Sequence, residues 1–144
     1  MGPESEVMSL PAVERTLIVV KPDATARGFV GDIIGRFEKR GMKPVDICMK
    51  TVSRAKAEQF YSVHKDKPFF GDLVTFISGG PSVGVVLEGR DAIAMVRLMI
   101  GSTRSWQAAP GTIRGDFASG LLDNAIHASD SKESFEWESK TYFS

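Results

Sequence analysis

The sequence is poor in the residues that build metal centres and disulfide frameworks: its 144 residues include one cysteine, Cys48, and two histidines, His64 and His127. A lone thiol closes no internal bridge and builds no multi-cysteine zinc site. Within the apolar stretch 45–52 it reads as a packed side chain, and it suits a reducing compartment. Excess charge is also missing. Eighteen Lys and Arg balance eighteen Asp and Glu, which removes the electrostatic footprint of a general nucleic-acid or anionic-membrane binder. No apolar run approaches the roughly 18 residues of a membrane-spanning helix, and no cationic and apolar signal pattern opens the chain; a cytoplasmic protein is expected. Neither G-x-x-x-x-G-K-[ST] after a strand nor G-x-G-x-x-G before a helix occurs, so a P-loop and a dinucleotide-binding turn are excluded. H-E-x-x-H is absent as well, and no metal site built from protein side chains is expected.

What remains is one domain's worth of chain, long enough to bury about two-thirds of its unfolded surface. Residues 1–13, with Glu4, Glu6, Pro3 and Pro11 and no periodicity, read as a flexible leader or a cloning remnant, leaving 14–144 as the domain. A β-branched strand is expected at 16–20, closed by the turn Lys21-Pro22-Asp23. Phe29, Val30, Ile33, Ile34 and Phe37 recur at helical spacing, and Gly41 supplies a left-handed stop. Strands follow at 43–52 and 82–88, with helices between them that start after Ser53 and near Phe69. Asp91 is placed to cap a helix to Ile100, and Asp130 and Glu133 stand at capping-box spacing before the last helix. Residues 101–123, rich in Gly, Ser and Thr, form a long segment without periodicity, and such a segment in a small domain is usually functional. This alternation of strands and helices gives an α/β or α+β class.

A single histidine beside small residues ordinarily reads as a satisfied structural imidazole. His127 invites a second reading. It lies in Asn124-Ala125-Ile126-His127-Ala128-Ser129-Asp130-Ser131, where alternation sends Ile126 and Ala128 to one face of a short strand and His127 to the other. Small neighbours leave the ring uncrowded, and a neutral imidazole nitrogen is a nucleophile. His64, beside Lys65-Asp66-Lys67, reads as a surface histidine. Among the cations, Lys21 follows the first strand, Arg97 ends a helix, and Arg114 sits in Gly111-Thr112-Ile113-Arg114-Gly115-Asp116. Loop cations are usually only solvated. Flanking glycines, however, permit close backbone approach, and a guanidinium holds two phosphate oxygens at once.

Lys21-Pro22-Asp23, Pro110-Gly111-Thr112-Ile113-Arg114-Gly115-Asp116-Phe117 and the histidine segment, in that order and spacing, resemble the signatures of nucleoside diphosphate kinases. The resemblance runs from about Glu14 onward. It implies a ferredoxin-like βαββαβ fold of α+β class, a four-stranded antiparallel sheet covered by helices. It also implies a ping-pong phosphotransferase that moves the γ-phosphate of a nucleoside triphosphate, chiefly ATP, to a nucleoside or deoxynucleoside diphosphate through a phosphohistidine. By that resemblance His127 is the nucleophile, Arg97, Thr103 and Arg114 contact the phosphates, Lys21 and Asn124 reach sugar and phosphate, and Phe69 stacks on the base. Tyr61, Ser129 and Glu138 surround the histidine, with Ser129 and Glu138 expected to orient its ring. Mg²⁺ would ride on the nucleotide phosphates, and the protein would be a tetramer or a hexamer of identical chains. Arg104-Ser105-Trp106 and Leu122-Asp123 depart from the family's usual Asn/Asp-Pro and Gly-Arg. The alternative from another class is a catalytically silent scaffold of the same fold, which would have no use for a full set of phosphate-binding cations around a nucleophile.

Overall fold

The run Thr16-Leu17-Ile18-Val19-Val20 is unbroken rather than alternating because both faces of its strand are covered: every one of the five side chains is at most 1% exposed. In the computed structural model, which describes residues 9–144, this run belongs to β1 (Val13–Val20). It is followed by α1 (Pro22–Ala26), α2 (Val30–Lys39), β2 (Lys43–Lys50), α3 (Arg54–Phe60), α4 (Phe70–Ile77), β3 (Ser82–Arg90), α5 (Ala92–Ile100), α6 (Ile113–Phe117), β4 (Ile126–Ala128) and α7 (Lys132–Phe143). The strands lie in the order β2-β3-β1-β4 with each neighbouring pair antiparallel. Placing β1 and β3 side by side at the centre, with helices on both faces, gives the ferredoxin-like arrangement.

One core layer packs Ile18, Val20, Val85, Leu87, Ile126 and Ala128 against α2 and α5. The other packs Leu17, Val19 and Val86 against α3, α4 and α7. The short edge strand β4 pairs Val19 with His127. Cross-strand partners share a face, so His127 points into the α3 and α7 side. On that side Tyr142 of α7 lies flat on β3 because Gly84 leaves the room: a Cβ there would stand 2.3 Å from the tyrosine ring.

Two expected helix caps differ from what the sequence suggested. Asp91 adopts a left-handed backbone, φ 52°, with no side-chain capping bond; Glu14 on neighbouring β1 accepts the Ile93 N–H instead, at 2.9 Å. At the last helix the cap is Ser131, whose Oγ accepts the Ser134 N–H at 3.1 Å, while Asp130 accepts the Ser134 hydroxyl at 2.7 Å. In both cases another acceptor takes the N–H that chain spacing assigned to the aspartate. Ser53 caps α3 as expected, accepting the Lys56 N–H at 3.2 Å. Residues 1–8 of the expected leader lie outside the described residues; Pro11 and Ala12 offer carbonyls to Arg90 and to the Asp91 N–H.

Candidate active site

His127 is held by a carboxylate and two aromatic edges. Its Nε2 stands 2.6 Å from Glu138 Oε1, and the Ser129 hydroxyl donates to the same oxygen at 2.8 Å. Twelve residues of α7 make this reachable: the helix returns across the sheet and brings Glu138 down over β4. Phe60 and Tyr61 meet the imidazole nearly edge-on at 5.1 and 6.1 Å between ring centres. The side chain keeps 20% of its surface open to solvent. An ionised carboxylate only accepts hydrogen bonds, so a proton on Nε2 suits this contact, and in the neutral ring that leaves Nδ1 as the nitrogen with the lone pair. The buried Tyr61 phenol is pushed up from its ordinary pKa, by burial first and then by the nearby Glu138 charge.

The segment before β4 ties the cations together. Lys21, only 5% exposed, donates from Nζ to Asn124 Oδ1 at 2.9 Å and to the Leu122 carbonyl at 3.5 Å. Asn124 in turn donates to the Thr103 carbonyl at 3.3 Å. Arg114 reaches three carbonyls, those of Asn124 at 3.3 Å, Gly101 at 3.2 Å and Ile126 at 2.7 Å. Among the described residues it meets no acid at ion-pair distance. Arg97 donates to the Ala128 carbonyl, 3.2 Å away. Burial, with Arg114 beside it, lowers the Lys21 ammonium to about 8, partly offset by Asp23 and Asp123. Burial, with Arg97 beside it, lowers the Arg114 guanidinium to about 10. Both shifts say that positive charge has been gathered where water solvates it poorly. The glycine expected to allow close approach does so at Gly115, where a Cβ would meet the Ala109 carbonyl oxygen at 2.1 Å.

These groups line one cleft of about 520 Å³: Lys21, Tyr61, Phe69, Arg97, Thr103, Arg114, Asn124, His127 and Glu138 all face it. Ser129 stands behind, completely buried. Phe69 is 41% exposed at the mouth, 5.9 Å from the His64 ring. His64 therefore departs from its surface assignment. It lines the cleft from a one-turn 3₁₀ segment, Ser62–His64, its Nδ1 is buried without a hydrogen-bond partner among the described residues, and burial followed by Lys67 lowers its pKa. The charged neighbours in sequence masked this, because the turn after α3 points the ring inward while Lys65 and Lys67 stay outside. Leu121, 52% exposed and also lining the cleft, was missed for want of any local pattern. In the departing loop, Ser105 is buried and its hydroxyl donates to the Gly120 carbonyl at 2.5 Å, while Trp106 stays 64% exposed.

Comparison with known proteins places this geometry. The family model for nucleoside diphosphate kinase matches residues 14–144. A nucleoside diphosphate kinase of Hyperthermus butylicus is 55% identical over 132 residues, which cover 92% of this chain and 93% of that protein. One from Pyrococcus abyssi is 54% identical over 133 residues, 90% of this chain and 84% of that protein. The crystal structure of the Aquifex aeolicus nucleoside diphosphate kinase superposes with a TM-score of 0.90 at 49% identity, over 92% of this chain and 96% of that one. A Halobacterium salinarum nucleoside diphosphate kinase in complex with CDP gives 0.88 at 43%, over 92% and 88%. The chain belongs to the nucleoside diphosphate kinase family and is a phosphotransferase acting on nucleoside phosphates.

Proposed function

We propose that His127 is the phosphoryl acceptor of a two-step transfer and that the cleft holds donor and acceptor nucleotides in turn. The observation that carries this reading is the 2.6 Å contact between His127 Nε2 and Glu138 inside a cleft where Lys21, Arg97 and Arg114 converge, none of them in an ion pair among the described residues. In the first step the Nδ1 lone pair attacks the γ-phosphorus, an N–P bond forms, and the bond to the β,γ-bridging oxygen breaks to release the diphosphate. In the second, a terminal β-phosphate oxygen of the acceptor attacks the same phosphorus and the N–P bond breaks. Glu138 keeps the Nε2 proton throughout and stabilises the charge that the ring acquires.

Phosphoryl transfer draws its acceleration mainly from alignment and fixed positive charge. Arg97, Arg114 and the Thr103 hydroxyl are the groups placed to take phosphate oxygens. Lys21 and Asn124, bonded to each other, meet the sugar and phosphate side. Phe69 offers its face to the base with Leu121 across the mouth; stacking on a π-face discriminates little among bases. That the Halobacterium relative was solved in complex with CDP supports nucleotide binding by this chain. The cleft's carboxylates are Asp130 and Glu138, and Glu138 is committed to His127 and Ser129. Mg²⁺ would therefore be held by the nucleotide's own phosphates, where it supplies charge neutralisation.

The same reading places the protein in the cytoplasm; among the described residues no helix is long and apolar enough to cross a membrane. It also makes the protein a homo-oligomer, consistent with an edge strand β2 that leaves Ile47 and Met49 57% and 60% exposed. A silent scaffold would not need two buried cations, Lys21 and Arg114, beside a carboxylate-held imidazole. Initial-rate kinetics with ATP and GDP test the reading: parallel double-reciprocal lines are expected, and His127→Ala abolishes turnover. Intersecting lines, or turnover in that variant, would reject it.

A further inference from the structure

Asp23 does not line the cleft, yet it is bonded to the backbone that presents the site. Ala125, completely buried, has φ of 71°, one of two non-glycine residues with positive φ among the described residues. Alanine avoids that region, and a residue is kept there only where its surroundings over-determine it. Here the restraints come from the first turn. The Ala125 N–H donates to Asp23 Oδ2 at 3.0 Å, and the Ala125 carbonyl accepts the Lys21 N–H at 2.9 Å. On either side, Arg114 fixes the carbonyls of Asn124 and Ile126.

Of these restraints, only the Asp23 bond meets the Ala125 N–H, a donor on a completely buried residue. The second oxygen, Oδ1, is buried with no hydrogen-bond partner. The position thus keeps a polar group at a desolvation cost, a cost that also raises the Asp23 pKa. Packing alone would be met by an apolar residue.

We propose that Asp23 is a positioning residue: by accepting the Ala125 N–H it holds Ala125 left-handed and so sets where Asn124 and His127 present their side chains. Misplacing a reacting group by about 1 Å costs roughly a hundredfold in rate. The inference rests on the reading of His127 as phosphoryl acceptor.

The test is single-turnover labelling of His127 by Mg-ATP, with ADP affinity and thermal melting measured alongside. At pH 6.5 the parent's Lys21 lies below its folded pKa of about 8 and carries its proton. Asp23→Ala is expected to slow phosphorylation roughly ten- to hundredfold, with a smaller loss of ADP affinity. Asp23→Asn, which keeps an acceptor oxygen, should stay within about threefold of the parent. Adding Ala125→Gly to Asp23→Ala should restore most of the rate, because glycine adopts positive φ without restraint. A parent-like rate in Asp23→Ala, equal losses of rate and affinity, or no recovery in either of the other two variants overturns the proposal. Should Asp23→Ala fail to fold, Asp23→Asn and the double variant decide, and a slow or unfolded result in either overturns it. A parent protein with no label on His127 removes the premise, a failure visible before any variant is made.

Discussion

Two arginines of similar chain environment show what separates a structural cation from a binding one. Arg36 reaches Asp116 at 2.6 Å and lies over the Phe117 ring at 4.6 Å, near the protein surface. The Gly111 N–H and the Arg36 guanidinium together hold the Asp116 carboxyl below its usual range. Two residues before Asp116, Arg114 is turned inward and spends its donors on three carbonyls, with no carboxylate of the described residues within ion-pair distance. Carbonyl dipoles orient a guanidinium without cancelling its charge. Arg36 is a closed pair, whereas Arg114, with Lys21 and Arg97, retains positive charge for a phosphate to meet.

The largest effect that would break this contrast is at Arg114. Arg114→Ala should cost about 2 to 4 kcal/mol of transition-state stabilisation, read as kcat/KM for GDP. It should also lower the melting temperature, because two buried carbonyls and one part-buried carbonyl lose their donor. A loss below about tenfold would mean that this charge is not spent on the reacting phosphate.

Lys21 gives the intermediate effect, and its sign is unusual. Its folded pKa of about 8 lies below the ordinary 10.5. The charge is present below pH 8 and fades above it, so kcat/KM should fall through an alkaline limb near 8 that Lys21→Arg moves upward. Between about 8 and 10.5 the unfolded chain binds a proton that the folded chain has released. The Lys21 contribution to stability therefore rises with pH across the window in which activity falls. Thermal melts of the parent and Lys21→Met across that range check the sign; a parallel pH dependence in both proteins would remove Lys21 as the cause.

The smallest effect belongs to Arg36. Its pair with Asp116 is about one-third exposed on each side, so Arg36→Ala should cost no more than about 1 kcal/mol of stability. Turnover should change less than about threefold. A loss matching that of Arg114→Ala would erase the distinction.

Much of this site was legible because its signals are local. The turn Lys21-Pro22-Asp23 ends a β-branched run, and the period of two around His127 puts the ring opposite Ile126 and Ala128, as the β1–β4 register shows. What escaped is what depends on chain far away. Strand order, with β1 between β3 and β4, is a non-local pairing that no window of sequence contains. The α5 cap comes from Glu14, 79 residues before Ile93. His64 turns inward because of a one-turn 3₁₀ segment whose flanking charges suggest the opposite. The left-handed Ala125 has no signal in residue type, since alanine is a poor candidate for positive φ.

The central claim is that one imidazole accepts and gives up a phosphoryl group beside the positive charge of Lys21, Arg97 and Arg114. Trapping the intermediate tests it most directly: incubate the protein with Mg-ATP labelled in the γ-phosphate, map the label, then chase with GDP. The account predicts label on His127 that is acid-labile, base-stable, discharged as GTP, and absent from His127→Ala. Labelled GTP formed by that variant would contradict it.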